Sequence, residues 1–352
     1  MLCFKGGSRP LAAGTRQWCD SVNITLYPHC NFSVKEEDMP IKIPADLPAC
    51  AALESENIFV MTEDRAVAQD IRPLEIVIVN LMPTKIATET QLLRLLGNSP
   101  LQVNITLLRT EAHESKNTPA QHLERFYKTF SEIRHGSFDG MIVTGAPVEH
   151  LPFEDVDYWH ELLDIMNYAA SHVYSTLYIC WAAQAALYHF YGIPKFSLPQ
   201  KISGIFNHDI LLPDCRLFRG FDDTFTAPHS RNTEVRAGHI LETPQLRLLA
   251  QSEQAGVTLV ERVDHSQVFM TGHLEYDRGT LDAEYRRDVD RGLKPRVPEH
   301  YYPHDDPAAM PRMNWRAHAH LFYCNWLNYY VYQETPFSLT AIAQNREARA
   351  GA

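Results

Sequence analysis

The stretch Thr176-Leu-Tyr-Ile-Cys-Trp-Ala-Ala-Gln-Ala-Ala186 joins a short apolar run to an alanine-rich run through a single cysteine, Cys180. The compact run Thr176–Ile179 is typical of a buried parallel strand, and Trp181–Phe190 is predicted to be a helix. A side chain at such a junction leaves the carboxyl edge of a sheet, where open α/β folds bind their ligands. The stretch therefore predicts an α/β fold with a reactive thiol at that edge.

Alternating strands and helices are predicted on both sides of this stretch. In chain order they are the strand Leu74–Asn80, the helix Ile86–Leu96, the strand Val103–Leu108, the helix Ala120–Phe130, the strand Phe138–Thr144, the helix Asp155–Ala170 and, downstream, the strands Thr258–Glu261 and Val268–Thr271. Alternation of this kind implies right-handed crossovers and a parallel sheet covered by helices on both faces. We predict a single α/β domain.

The composition excludes several classes of protein. The 32 Lys and Arg residues against 43 Asp and Glu residues leave a net charge of −11, which argues against binding to a phosphate backbone. No run approaches the roughly 18 apolar residues that cross a bilayer, and the seven cysteines show neither a CxxC pair nor zinc-ligand spacing. Walker A, Rossmann and HExxH motifs are also missing, so no metal or cofactor is predicted. We expect reduced thiols, a cytoplasmic location, and no nucleic-acid or membrane partner.

The first 38 residues differ from the rest of the chain. They show no sustained periodicity and lack the compact apolar segment of a signal peptide, whereas Met39 opens a segment that looks like a natural start. We interpret residues 1–38 as a disordered extension or a start-site artefact, with a short structured addition as the alternative. Residues 39–337 are predicted to form the catalytic domain, and residues 338–352 a C-terminal tail.

A base for Cys180 follows the last predicted strand. In Val268-Phe-Met-Thr-Gly-His273-Leu-Glu275 the strand delivers His273 and, two residues later, Glu275. Imidazole exchanges protons near neutral pH, and a carboxylate can fix its tautomer and stabilise the imidazolium. The positive end of the helix after Cys180 favours the thiolate over the thiol. We predict Cys180 as the nucleophile, His273 as the base and Glu275 as the residue that orients this base.

Two backbone amides are candidates for binding a developing oxyanion. The amide of Trp181 opens the helix after Cys180, and the turn Gly145-Ala146 follows a neighbouring predicted strand. Preorganised N–H donors at such positions stabilise the charge of a tetrahedral intermediate. The amides of Trp181 and Ala146 are therefore the predicted oxyanion donors.

The run Tyr178-Ile-Cys180-Trp-Ala-Ala-Gln-Ala-Ala186 resembles the nucleophile segment of the homoserine O-acyltransferases that have a class I glutamine amidotransferase-like fold. Other segments share this resemblance: Asn80-Leu-Met-Pro, Asn98-Ser-Pro-Leu, Val143-Thr-Gly-Ala-Pro147, Tyr191-Gly-Ile-Pro-Lys195, Arg219-Gly-Phe-Asp-Asp223, Ala227-Pro-His-Ser-Arg231, Thr271-Gly-His273 and Asn325-Trp-Leu-Asn-Tyr-Tyr-Val-Tyr332. The resemblance implies a flavodoxin-like three-layer sandwich with a mostly parallel central sheet. Two positions depart from the family pattern: Ala182, where glycine is usual, and Leu274, where many relatives have proline.

The resemblance also implies acyl transfer by a ping-pong mechanism in methionine biosynthesis. Cys180 would take an acyl group from an acyl-CoA, and the histidine would then activate the γ-hydroxyl of L-homoserine. The matching positions for substrate binding are Lys201, Ser230 and Arg287, and a guanidinium suits a carboxylate through paired hydrogen bonds. Lys85, after the first predicted strand, is a further candidate that could equally be an exposed turn lysine. Acyl-CoA is a co-substrate rather than a cofactor, and a homodimer is an assembly that the sequence allows.

The acyl group is predicted from Glu149, which follows Val143-Thr-Gly-Ala-Pro-Val148. In the family that the sequence resembles, glutamate at this position goes with acetyl-CoA and glycine with succinyl-CoA. A nearby glutamate would repel the terminal carboxylate of a succinyl group and would also crowd it. We predict transfer from acetyl-CoA to give O-acetyl-L-homoserine, with succinyl transfer from succinyl-CoA as the alternative.

Two more distant functions would use or retain the same fold. A glutamine amidotransferase or cysteine hydrolase would use the same Cys–His pair, but the pattern Pro228-His-Ser-Arg231 favours an acyltransferase. A non-catalytic sensor would be expected to have lost the catalytic residues, whereas Cys180, His273 and Glu275 are all present. Both functions stay open as alternatives.

Overall fold

The fold is given by a computed structural model. It describes residues 41–42, 47–55, 60–61, 72–112, 117–336, 338–339 and 341–342. The predicted N-terminal extension, residues 1–38, lies outside these ranges, as does most of the predicted tail, so the predicted domain boundaries stay predictions. Among the helices in these ranges, none is long and apolar enough to cross a membrane.

The described residues alternate between strands and helices. The strands are β1 Ile41–Lys42, β2 Val60–Met61, β3 Leu74–Val79, β4 Val103–Leu108, β5 Tyr127–Lys128, β6 Phe138–Val143, β7 Val173–Ile179, β8 Phe196–Ile210, β9 Thr224–Glu234, β10 Leu246–Ser252, β11 Gly256–Arg262 and β12 Gln267–Met270. The helices are α1 Pro48–Ser55, α2 Lys85–Leu96, α3 Ala120–Phe126, α4 Phe130–Ile133, α5 Trp159–His172, α6 Trp181–Tyr191, α7 Ala237–Leu241, α8 Thr280–Asp290 and α9 Arg316–Asn325, which continues as a π-helix over Trp326–Tyr332. Single 3₁₀ turns lie at Phe153–Asp155, Arg216–Phe218 and Pro303–Asp305.

These strands form one sheet in the order β2-β1-β4-β3-β6-β7-β12-β11-β10-β8-β9, with β5 beside β4. Neighbours from β2 to β12 in this order run parallel, and neighbours from β12 to β9 run antiparallel. A parallel half is therefore extended by an antiparallel half. The predicted α/β fold with a mostly parallel sheet is confirmed.

Apolar side chains cover this sheet on both faces. In β3, Ile76 and Ile78 pack on one face with α2 and α9, whereas Val77 and Val79 pack on the other face with α5 and α6. Successive side chains of a strand point to opposite faces, so an uninterrupted apolar strand needs a helix layer on each side. Burying an aliphatic side chain of this size contributes about 1.5–3 kcal/mol. The result is the three-layer arrangement that was predicted.

The helix predicted over Ala120–Phe130 is wrong in its second half. The chain leaves the helix after Phe126, forms β5 beside the end of β4, and starts α4 at Phe130. Tyr127 accounts for the break, because its hydroxyl donates to the buried carboxylate of Glu89 (2.5 Å). Helix propensity over a local window contains no information about that contact.

A long antiparallel hairpin, β8 and β9, was not predicted from the sequence. Its register pairs Ile202 with Arg231. The hairpin crosses the carboxyl edge of the parallel half, since the amide of His273 donates to the carbonyl of Pro228 on β9 (2.8 Å). Residues of β8 and β9 are thereby brought to the end of β12.

Candidate active site

Cys180 lies at a sharp turn between β7 and α6, which we call the elbow. Its backbone has φ 51° and ψ −114°, a conformation that costs a residue other than glycine about 1–3 kcal/mol. Its amide donates to the carbonyl of Met270 on β12 (2.6 Å), and the residue is only 5% exposed. Because α6 begins at the next residue, the thiol lies beside the unpaired N–H groups of the helix.

His273 reaches Cys180 because β12 is the strand next to β7. The two strands are parallel, with Met270 opposite Ile179, so both chains leave the sheet at the same edge. Both Cys180 and His273 lie within 4 Å of the position that a methyl group at Gly145 would occupy, and Nδ1 of His273 lies 2.6 Å from Oε1 of Glu275. The structure thus brings the three predicted catalytic residues together.

The electrostatics of this group favour the protonated form of His273. Burial lowers the pKa of His273, but Cys180 and Glu275 act in the opposite direction and prevail, so this pKa lies well above its usual value. Because Glu275 engages Nδ1, the other ring nitrogen is left for the sulfur and the substrates.

The turn after β6 packs directly on the Cys–His pair. A methyl group at Gly145 would lie 3.2 Å from Cβ of Cys180 and 3.7 Å from Cε1 of His273, so any side chain there would press against the nucleophile. The amide of Trp181 is the first of α6 and has no acceptor within the helix. Trp181 directly follows Cys180, and Ala146 directly follows the glycine that packs on it, but their role as oxyanion donors stays a prediction.

A polar cluster of Lys201, Ser230, Tyr276 and Glu284 lies beside His273. The hydroxyls of Ser230 and Tyr276 donate to the carboxylate of Glu284 (2.5 and 2.9 Å), and Nζ of Lys201 lies 3.7 Å from the same carboxylate. Tyr276 stacks on the imidazole of His273, with ring centroids 4.0 Å apart. Two of the predicted substrate-binding residues are therefore connected to the catalytic histidine.

Arg287 lies at the rim of this polar cluster. Its Nε and Nη2 donate to Oδ1 of Asp288 (3.0 and 2.9 Å), and its side chain is 48% exposed. Asp288 also pairs with Lys201 (3.5 Å), which links Arg287 to the cluster. All three predicted binding residues thus lie in one region, although their role is a prediction.

Lys85 is the first residue of α2 and is buried, so its interpretation as an exposed turn lysine is wrong. Its ammonium group donates to the carbonyl of Asn80 and lies 5.8 Å from the ring centre of Tyr127. Burial lowers the pKa of Lys85 to about 8, although Glu89 acts in the opposite direction. These contacts place Lys85 among residues of α2 and β5 rather than in the polar cluster, and its role in the site stays a prediction.

Glu149 lies in the loop after β6, and its carboxylate accepts a hydrogen bond from the backbone amide of Asn232 on β9. Lys195 holds the main chain of this loop by donating to the carbonyls of Glu149 (2.7 Å) and Leu151 (2.5 Å). The carboxylate therefore points toward the part of β9 that follows Ser230. Its role in selecting the acyl group stays a prediction.

Three residues of the site were not predicted from the sequence: Tyr276, Glu284 and Arg231. Tyr276 directly follows the motif that ends at Glu275, and Glu284 precedes Arg287 by three positions on one helix, a spacing that places two side chains on one face. Both positions therefore carried a local signal. Arg231 carried no signal beyond its place in a motif, because its burial depends on the hairpin.

Comparisons with known proteins agree with this geometry. A family model described as homoserine O-succinyltransferase matches residues 40–337. A homoserine O-acetyltransferase of Thermotoga petrophila is 59% identical over 304 residues, which cover 86% of this chain and 100% of that protein, and one of Geobacillus sp. (strain WCH70) is 60% identical over 299 residues, which cover 85% and 99%. Among solved structures, a glutamine amidotransferase from Thermotoga maritima matches with a TM-score of 0.50 and 9% identity, covering 73% of this chain and 98% of that one. That likeness concerns the fold alone.

Proposed function

Because this chain belongs to the homoserine O-succinyltransferase family, we propose that it transfers an acetyl group from acetyl-CoA to the γ-hydroxyl of L-homoserine. The product would be O-acetyl-L-homoserine, an intermediate of methionine biosynthesis. The observation that carries the proposal is the buried group of Cys180, His273 and Glu275 beneath the turn at Gly145. The two relatives named homoserine O-acetyltransferase support the choice of acyl group.

In the first half-reaction the thiolate of Cys180 attacks the thioester carbon of acetyl-CoA. The negative charge that develops on the carbonyl oxygen would be bound by the amides of Trp181 and Ala146. When the carbon–sulfur bond of the thioester breaks, His273 donates its proton to the departing coenzyme A thiolate. An acetyl-cysteine and a neutral imidazole remain.

Acetylation prepares His273 for the second half-reaction. The pKa of His273 is raised largely by the negative charge of Cys180, whereas burial lowers it. Once the sulfur carries an acetyl group, that negative charge is gone. Burial then lowers the pKa of His273 with less opposition, and the imidazole becomes a neutral base. It takes the proton of the homoserine hydroxyl as the oxygen attacks the acetyl-cysteine, and the thiolate is restored. Glu275 holds the ring throughout.

The polar cluster offers the groups that an amino acid requires. The guanidinium of Arg287 suits the carboxylate of homoserine, and the carboxylate of Glu284 suits its ammonium group. Ser230 and Lys201 contact Glu284, and Tyr276 connects Glu284 to the catalytic histidine. We propose that homoserine binds here with its γ-hydroxyl directed toward His273.

The choice of an acetyl donor is supported by the carboxylate of Glu149. The carboxylate of Glu149 is held in place by the amide of Asn232, and it would oppose the carboxylate of a succinyl group in a partly desolvated space. A methyl group meets no such opposition. Succinyl-CoA is the alternative donor, since the family description refers to succinyl transfer.

Mass spectrometry of the protein mixed with acetyl-CoA alone tests the mechanism. We expect one acetyl adduct, on Cys180, with release of coenzyme A, and its conversion to O-acetyl-L-homoserine when L-homoserine is added. Cys215→Ala is a matched control, because Cys215 is another free cysteine whose thiol contacts Tyr330 (3.3 Å), and it should form the adduct normally. An adduct on a different residue would refute the proposed intermediate.

The same preparation separates the alternatives. A higher kcat/KM with succinyl-CoA than with acetyl-CoA would identify a succinyltransferase. Glutamine hydrolysis without acyl transfer would identify an amidotransferase-type hydrolase, and a thiol whose alkylation acetyl-CoA does not block would favour a sensor. We expect none of these three outcomes.

The proposal includes three further expectations. No metal or cofactor is required, because the cysteine, histidine and glutamate supply the nucleophile and the base. A cytoplasmic location is expected, where acetyl-CoA and homoserine are available, and fractionation of cells tests it. A homodimer is an assembly that the sequence allows, and light scattering on the purified protein measures the assembly directly.

A further inference from the structure

Tyr276 belongs to the polar cluster and also contacts the base. Its ring stacks on the imidazole of His273, with centroids 4.0 Å apart and planes 17° from parallel. Its hydroxyl donates to Oε1 of Glu284 on α8 (2.9 Å), and the residue is only 4% exposed. One buried side chain therefore contacts both the catalytic histidine and the carboxylate that we propose for the ammonium group of homoserine.

The ring of Tyr276 restricts the tilt of the His273 imidazole. Glu275 holds Nδ1 of this imidazole (2.6 Å), and the turn at Gly145 packs against its Cε1, where a methyl group would lie 3.7 Å away. The last side-chain torsion of a histidine is broad, so a hydrogen bond at one nitrogen does not by itself fix the plane of the ring. An aromatic ring stacked on one face of the imidazole does restrict that plane.

The backbone of Tyr276 is held in place on both sides. Its amide donates to the carbonyl of His273 (3.3 Å), and its carbonyl accepts a hydrogen bond from Nε1 of Trp315 (3.0 Å). Trp315, directly before α9, is fully buried, and side chains in such close-packed interiors have little room to move. The ring of Tyr276 is therefore a fixed surface for the imidazole.

The hydroxyl of Tyr276 helps to orient the carboxylate of Glu284. Oε1 of this carboxylate accepts a hydrogen bond from Tyr276, and Oε2 accepts one from Ser230 (2.5 Å). The Glu284 side chain is 17% exposed, which leaves access for a cationic group. Burial raises the pKa of Tyr276 well above its usual value, and Glu284 raises it further. The hydroxyl therefore keeps its proton and acts as a permanent donor.

We propose that Tyr276 is a positioning residue that couples the acceptor site to the base: its ring fixes the plane of the His273 imidazole, and its hydroxyl fixes the Glu284 carboxylate relative to that plane. When the ammonium group of homoserine binds Glu284, its γ-hydroxyl is placed within reach of the imidazole. The part played by the hydroxyl rests on the proposed function, because it requires homoserine at Glu284. The part played by the ring requires only that His273 exchanges protons with the reacting groups.

Two substitutions separate the hydroxyl from the ring. Tyr276→Phe removes the donor to Glu284 and keeps the stacked ring, so the KM for L-homoserine should rise about tenfold. The rate of adduct formation from acetyl-CoA alone should stay unchanged in this variant. Tyr276→Leu also removes the aromatic face, so His273 is less well placed in both half-reactions, and both adduct formation and kcat should fall about 10²-fold. A residue that only filled the core would change the Tm without dividing these measurements between the two variants.

Tyr168 on α5 offers a matched control. Its ring also stacks on a histidine, His172, with centroids 4.8 Å apart, and its hydroxyl donates to the carbonyl of Gly136 (2.9 Å). The helix ends at His172, where β7 begins, so this pair lies at the opposite end of β7 from Cys180. Tyr168→Phe and Tyr168→Leu should lower the Tm and leave adduct formation, kcat and KM unchanged.

Three results would count against the proposal. An unchanged KM for L-homoserine in folded Tyr276→Phe would overturn the coupling, and normal adduct formation in folded Tyr276→Leu would overturn the role of the ring. If Tyr276→Leu does not fold, Tyr276→Phe decides. Absence of acetyl transfer by the unsubstituted protein is a separate result, since it would refute the proposed function and, with it, the role of the hydroxyl.

Discussion

The elbow and the polar cluster lie side by side but are built in opposite ways. The elbow belongs to one continuous segment, β7 to α6, and its geometry is set by backbone, with a positive φ at Cys180 and a hydrogen bond to β12. The polar cluster joins Lys201 of β8, Ser230 of β9 and Glu284 of α8 through side chains, and the Lys201 side chain is 29% exposed. Changes in the elbow should therefore stop the chemistry, whereas changes in the cluster should weaken recognition of the acceptor and leave the first half-reaction intact.

The largest effect is expected from Cys180→Ala. Without the sulfur no acyl intermediate can form, so acetyl transfer should fall by about 10³-fold or more. The backbone at this position is as strained for alanine as for cysteine, so the Tm should change little. Steady-state kinetics and thermal unfolding measure the two quantities, and transfer within about tenfold of the normal rate would contradict the assignment of the nucleophile.

Glu275→Gln should cost about 10²-fold in kcat/KM for acetyl-CoA. Glu275 is one of the groups that raise the pKa of His273, so its loss lowers that pKa. The imidazolium, which must protonate coenzyme A, is then lost at a lower pH. A pH profile of kcat/KM should show its alkaline limb displaced toward lower pH, and a limb that stays in place or moves upward would contradict the pairing.

Arg287→Lys should separate the two regions. It exchanges a planar pair of donors for a single ammonium group, so the KM for L-homoserine should rise about 10–100-fold. The rate of adduct formation from acetyl-CoA alone should be unchanged, because the elbow is intact. Arg286→Lys is the matched control, since Arg286 binds Asp282 and the carbonyl of Pro307 instead. Equal effects of both variants on the KM for L-homoserine would mean that Arg287 does not bind this substrate.

The smallest effect is expected from Glu149→Gly, in the loop after β6 that contacts β9. Removing the carboxylate should raise kcat/KM for succinyl-CoA relative to acetyl-CoA by about tenfold. It also removes the acceptor of the Asn232 amide, so the absolute rate with acetyl-CoA should fall. The ratio of the two donors is the measurement, and an unchanged ratio would mean that this carboxylate does not select the acyl group.

The parallel half of the fold could be predicted because its elements are locally encoded. The predicted strands Val103–Leu108 and Thr176–Ile179 lie within β4 and β7, and the predicted helix Trp181–Phe190 matches α6 to within one residue. Helix boundaries were predicted less accurately. The helix predicted over Asp155–Ala170 begins at Trp159 in the structure, after a 3₁₀ turn. Periodicity identifies the type of an element better than its ends.

In the antiparallel half the predicted strand Thr258–Glu261 lies within β11, but the hairpin of β8 and β9 could not be predicted with the same means. The run of β8 includes Pro199, Gly204 and several polar residues, and only part of it is buried. Such a segment has no clear apolar alternation, so it carries little strand signal. It is extended because it pairs with β9 along most of its length, which is a tertiary interaction.

The elbow could be predicted from local sequence, because a buried strand, a cysteine and an alanine-rich helix lie within about ten residues of one another. Local sequence also predicted that His273 and Glu275 follow a strand. The neighbours of these residues were decided by tertiary structure. Ser230 and Glu284 are 54 residues apart in the chain, and the burial of Arg231 depends on how a hairpin crosses the sheet. Propensity and periodicity carry no information over such separations, whereas packing brings those side chains within hydrogen-bonding distance.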